Sequence, residues 1–155
     1  MKLSNVKRAF DLSLIAIIVL IIIQFTSGMW VNLNVIFPAN ALSVNATIGQ
    51  AFSYVFSSGF LSLVLHASVG ILICLLSILI LLLSVSTRDK LFLILAVLGL
   101  ISSFAAAING IRFAMSDFTI NGISFGMAMS FLFAFLFYVV LAILSLMKKP
   151  SIAIP

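Results

Sequence analysis

The chain has 155 residues and a formal net charge of +5, yet only 7% of its residues are charged and 65% are hydrophobic. A soluble domain carries about 25% charged residues, so this composition excludes a water-soluble globule. It also excludes a nucleic-acid binder, which needs a basic stripe on a polar surface; here the Lys and Arg residues stand at the ends of apolar segments.

A bilayer core of about 30 Å needs roughly 20 apolar residues in a helix. Four stretches reach that length, at about residues 10–30, 60–84, 91–113 and 124–147. The expected fold is therefore all-α: a single domain, an integral membrane four-helix bundle with one longer outer loop over residues 31–59. Lys2, Lys7 and Arg8 precede the first span, Arg88 and Lys90 join the second to the third, and Lys148 and Lys149 follow the fourth. Four crossings put all seven on one side and leave only Arg112 on the other. The positive-inside rule then places both termini in the cytoplasm and the chain in the cell membrane.

The first span follows Lys7-Arg8 and ends near Thr26-Ser27-Gly28, a pattern that loosely fits a signal peptide. The apolar stretch runs on through Met29-Trp30 to a spanning length, which favours a retained helix. The outer loop carries no charge and mixes aromatics with small polar residues from Ile48 to Phe56. Such a segment suits the headgroup zone or a cap on the bundle. Asn45-Ala46-Thr47 is a glycosylation sequon on the outer side, a triplet that also arises by chance.

Small residues recur at four-residue spacing in the last three spans. Ser62, His66, Gly70 and Cys74 form one line; Gly99, Ser103 and Ala107 a second; Gly122, Gly126, Ser130, Ala134 and Tyr138 a third. Lines of this kind let membrane helices approach closely, within one bundle or between chains. The Phe residues at 131, 133, 135 and 137 alternate and cannot share one helix face, so most face lipid or wedge between neighbours.

At about 1.5 Å per residue, His66, Asn109, Ser130 and Gln24 all fall roughly 21–27 Å from the inner edge of their spans. Arg112 falls at the outer rim. Polar groups from four helices thus share one level and could line a shallow outer pocket. Stretches 14–23, 78–83, 91–98 and 139–143 are nearly all apolar and read as a seal. A conducting path needs polar lining, so a small-solute channel ranks behind two other readings.

His66 is the lone histidine, and an ionisable group within a span is a functional candidate. Its bland role is a hydrogen bond between helices. Its sharper role is axial ligation of a b-type haem, with Gly70 one turn away leaving room for the porphyrin and Met115, Met127 or Met129 near the same level. Met residues also commonly just fill gaps. Arg112 and Asp117 read as an ion pair closing the short outer turn. No metal-ligand cluster, paired carboxylates or nucleophile–base set accompanies them.

The expected function is non-enzymatic: a small structural or accessory subunit that packs against partner helices, in a hetero-complex or homo-oligomer. The alternative is an electron-transfer or quinone-associated subunit holding haem or a lipid-soluble ligand around His66.

Overall fold

The computed structural model describes residues 3–38, 42 and 46–148. It is all-helical over those residues: α1 (Leu3–Asn34), α2 (Ile48–Ser57), α3 (Leu61–Thr87), α4 (Lys90–Met115) and α5 (Asn121–Met147). All but α2 are long and apolar enough to cross a membrane. Lys2, Lys149 and the sequon residue Asn45 lie outside the described residues.

The four long helices form a ring in the order α1–α3–α4–α5, with α4–α5 the most extensive interface and α1–α5 the least. The start of α1, the α3–α4 turn and the end of α5 share one end of the bundle, here the terminal end. The short helix α2 packs on α3 and α4 at the opposite end.

Each long helix outruns its expected span, because hydrogen bonding does not stop where the apolar run stops. At the start of α1, Lys7 and Asp11 pair at 2.9 Å one turn apart. At its end, the Asn34 side chain donates to the Trp30 carbonyl. Termination is sharp between α3 and α4. Arg88 turns left-handed at φ 57, and the Asp89 carboxylate then caps α4 by accepting from the Leu91 and Phe92 N–H groups.

The expected outer loop is not wholly irregular. Thr47 opens α2 with a capping box: its hydroxyl accepts from the Gln50 N–H while the Gln50 side chain accepts from the Thr47 N–H.

The apolar core lies towards the terminal end. Phe10, Leu14, Ile17, Ile80 and Leu141 are each 1% exposed or less, and Phe10 stacks on Phe92 across the ring. This half is not purely apolar, because Ser13, Ser77, Ser84 and Ser145 are buried in it. It remains sealed because hydroxyls turn back onto their own helices, Ser77 to the Ile73 carbonyl and Ser84 to that of Leu81.

Candidate functional site

The polar centre of the α2 half is built where α1 meets α3. Gln24 and Ser27 lie on the face of α1 that meets His66 of α3. Gln24 Nε2 is 3.2 Å from His66 Nε2, and Ser27 Oγ is 3.0 Å from Nδ1. Two glycines permit the approach. A Cβ on Gly28 would stand 2.8 Å from His66 Cε1, and one on Gly70 would stand 3.2 Å from Gln24 Nε2. Gly70 thus makes room for the Gln24 amide.

These contacts select one tautomer. The Gln24 amide donates to Nε2, so the ring proton sits on Nδ1 and is donated to Ser27 Oγ. The Ser27 hydroxyl in turn donates to the Gln24 carbonyl oxygen at 3.0 Å. Turning the Gln24 amide over would reverse the sense at the ring, oblige Ser27 to donate to Nδ1, and forfeit its bond to the carbonyl. Three hydrogen bonds outweigh two, so of the two neutral tautomers the Nδ1–H form is the one this geometry favours. The cost is visible at Gln24 Oε1, which is buried and has no partner among the described residues.

Asn109 and Ser130 meet elsewhere. Both converge on Gly126 in the α4–α5 interface: the Asn109 side chain packs over the glycine, and Ser130 Oγ donates to its carbonyl at 2.9 Å. The shared level expected for Gln24, His66, Asn109 and Ser130 therefore resolves into two separate helix pairs. Met127 Sδ packs on Gly110 of α4, and Met129 is half-buried. Both belong to α5, which lies diagonally across the ring from α3 and His66.

Arg112 is exposed, and among the described residues no ion pair joins it to Asp117. Asp117 instead adopts φ 56 and accepts from the Leu42 N–H at 3.0 Å. Phe118 follows at φ 59, an uncommon conformation for a bulky residue. It is held there by rings, stacked on Phe37 at 3.7 Å between centroids and meeting Phe113 edge-on. Tyr54 of α2 joins this aromatic lid. Burial, and secondarily the Asp117 charge, raises the Tyr54 phenol above its ordinary range, so the lid stays neutral on that side chain.

At mid-depth a second polar cluster joins α3, α4 and α5. Ser77 Oγ lies 3.1 Å from Ser103 Oγ, with the Ser77 proton given to the Ile73 carbonyl at 2.7 Å and the Ser103 proton to the Gly99 carbonyl at 2.9 Å. Tyr138 lies flat on Gly99, where an added Cβ would stand 2.6 Å from the ring. Its hydroxyl lies beside the two serines yet completes no hydrogen bond. Cys74 Sγ rests 4.0 Å from the Ser103 carbonyl.

Two ionic latches close the terminal end. In the first, Asp11 accepts from Lys7 and, at 2.5 Å, from Ser145 Oγ, while Lys7 also donates to the Ser145 carbonyl at 3.1 Å. This ties α1 to α5. In the second, Lys148 pairs with Asp89 and lies over the Phe92 ring, tying the end of α5 to the start of α4. The Lys148 hydrogen bond holds the Asp89 carboxyl below its usual range, with the Phe92 and Leu91 N–H groups acting in the same direction against partial desolvation. Sequence reasoning missed Asp11, although its i,i+4 spacing from Lys7 was a usable signal.

No group of three or more metal-ligating side chains occurs among the described residues. No family model matches the chain, and neither a curated protein nor a solved structure matches it.

Proposed function

We propose that this chain is a multi-pass protein of the cell membrane, with both termini cytoplasmic, and that it serves as a non-enzymatic accessory subunit packing against partner helices. One observation carries the reading: the chemistry-bearing side chains of the spans turn inward or onto their own helices. His66 is engaged at both nitrogens, Ser77 and Ser103 donate to the Ile73 and Gly99 carbonyls, and Asp11 accepts from Lys7 and Ser145. Even outward hydroxyls fold back, Thr26 to the Ile22 carbonyl and Ser68 to that of Val64. What remains on the outside is an apolar belt suited to lipid and to other membrane helices.

The gathering of Lys7, Arg8, Arg88, Lys90 and Lys148 at one end, with Arg112 at the other, supports the orientation. The haem reading draws less support. An axial bond to iron would require His66 to give up Gln24 or Ser27, and Gly28 already covers the ring edge. Conduction is disfavoured by the closed core around Leu14, Ile17, Ile80 and Leu141.

The test is purification from native membranes in mild detergent, followed by native electrophoresis and a visible spectrum. An assembly larger than the form obtained on isolated expression, without a Soret band, is the expected result. A protein of the same size in both settings, or one carrying a Soret band lost in His66→Leu, would overturn the reading.

A further inference from the structure

The short helix α2 divides its circumference among three surroundings. At about 100° per residue, Ala51, Tyr54 and Val55 form one flank, and these are the buried and half-buried positions that meet α3 and α4. Gly49, Gln50, Ser53 and Ser57 form a second flank, small or polar and exposed. Ile48, Phe52 and Phe56 form a third. They are large and apolar yet 58%, 39% and 43% exposed, and the two rings stack on each other at 6.2 Å.

We propose that this third flank is a membrane-seating surface: Ile48, Phe52 and Phe56 enter the boundary between headgroups and acyl chains of the leaflet around the α2 end. The proposal rests on the four-span reading above. Three observations select lipid as the occupant. Residues 46–60 contain no Asp, Glu, Lys or Arg, so the stripe offers no charged rim for a protein partner. It is continuous with the apolar belt, because α2 runs through Ser58 and Gly59, at φ 78, directly into the N-cap of α3, where Leu61 is 71% exposed. The polar flank faces away from the bundle, leaving the stripe between protein on one side and water on the other. That is the position of a helix lying in the interface plane. The lone Trp30 makes the test clean.

In Trp30→Phe protein reconstituted into phosphatidylcholine vesicles, single tryptophans replace Phe52, Phe56, Ser53 or Leu72. Leu72 is an exposed residue midway along α3. Lipids brominated at shallow or deep acyl positions serve as one quencher and aqueous acrylamide as the other. Leu72→Trp is expected to respond to deep bromines, Phe52→Trp and Phe56→Trp to shallow bromines, and Ser53→Trp to acrylamide alone. Failure of Leu72→Trp to respond to any brominated lipid would overturn the four-span reading itself. With Leu72→Trp quenched, acrylamide access at Phe52→Trp and Phe56→Trp equal to that at Ser53→Trp would overturn the seating of α2 alone. Shielding of both from either quencher would overturn it too, by showing a protein surface over the stripe.

Discussion

The two halves of the bundle are held together by different physics. In the terminal half, Phe10, Leu14, Ile17, Ile80, Tyr138 and Leu141 fill the space between four helices almost without exposure. Polar groups appear there as latches at the rim or as serines bonded to their own backbone. In the α2 half polar contacts join the helices in two pairs, α1 with α3 through Gln24–His66–Ser27 and α4 with α5 through Asn109 on Gly126. An aromatic lid around Phe118 closes that end. In the bilayer setting proposed above, lipid tails are as apolar as a leucine core, so burial alone does not draw the helices together. Where side chains interlock, shape suffices; where they do not, hydrogen bonds and rings do the joining. The terminal half should therefore respond chiefly to changes in volume, and the α2 half also to changes in hydrogen-bonding capacity, beside its tight contacts at Gly28 and Gly70.

The largest effect is expected at Gly99. Gly99→Ala drives a methyl into the Tyr138 ring, and overpacking of this kind costs about 1–3 kcal/mol. Gly126→Ala meets Asn109 at ordinary contact distance, 3.5 Å, and should be nearly silent. Thermal unfolding in detergent reads both; equal losses would erase the distinction between the halves.

At His66 the order is set by hydrogen bonds rather than size. His66→Leu strands Gln24 and Ser27 within the bundle, and at about 0.6 kcal/mol per membrane hydrogen bond the loss is roughly 1 kcal/mol. His66→Gln retains a donor and an acceptor and should recover part of it. A leucine variant as stable as the wild type would show that the polar stitch adds nothing.

The latch at Asp89 gives a pH dependence. Its folded carboxyl is held below the ordinary range, chiefly by the Lys148 hydrogen bond. Its contribution is therefore complete above the ordinary carboxylate pKa and is lost as pH falls through the lowered folded value. Asp89→Ala removes this acid sensitivity and the helix cap together, at about 1 kcal/mol at neutral pH. Unfolding midpoints of the two proteins should converge as the pH falls into that range; a constant gap would refute the assignment.

The smallest effect is expected at Tyr138→Phe. The hydroxyl is buried without a hydrogen bond, so removing it should change stability by no more than about 0.5 kcal/mol, or raise it. A clear loss would mean that the hydroxyl is held by Ser77 or Ser103 after all.

Much of this architecture was legible beforehand, for reasons that differ by region. Four apolar runs of spanning length leave little freedom in a helical chain, so the long helices were foreseeable to within a few residues, α1 excepted at its start. The small-residue lines located Gly99, Ala134 and Tyr138 in contacts that bury them. The helix α2 was missed although Thr47 and Gln50 spell out its capping box, because its apolar residues serve two surroundings and blur the periodicity. Depth put Gln24, His66, Asn109 and Ser130 at one level, but depth says nothing about azimuth, so it could not foresee that Gln24 meets His66 while Asn109 and Ser130 lie in a different interface. The expected pairing of Arg112 with Asp117 took no account of backbone conformation: Asp117 turns left-handed and its carboxylate accepts from the Leu42 N–H.

His66 acts as a structural tie between α1 and α3, engaged at both ring nitrogens. Because the chain has one histidine, nitrogen-15 NMR of the His-labelled protein, purified from native membranes and reconstituted, reports on that ring alone. A single neutral tautomer is expected, protonated at Nδ1 and unprotonated at Nε2, with the pattern disturbed in Gln24→Leu and in Ser27→Ala. Signals shifted by a bound metal, or an Nε2–H tautomer indifferent to both substitutions, would contradict that role.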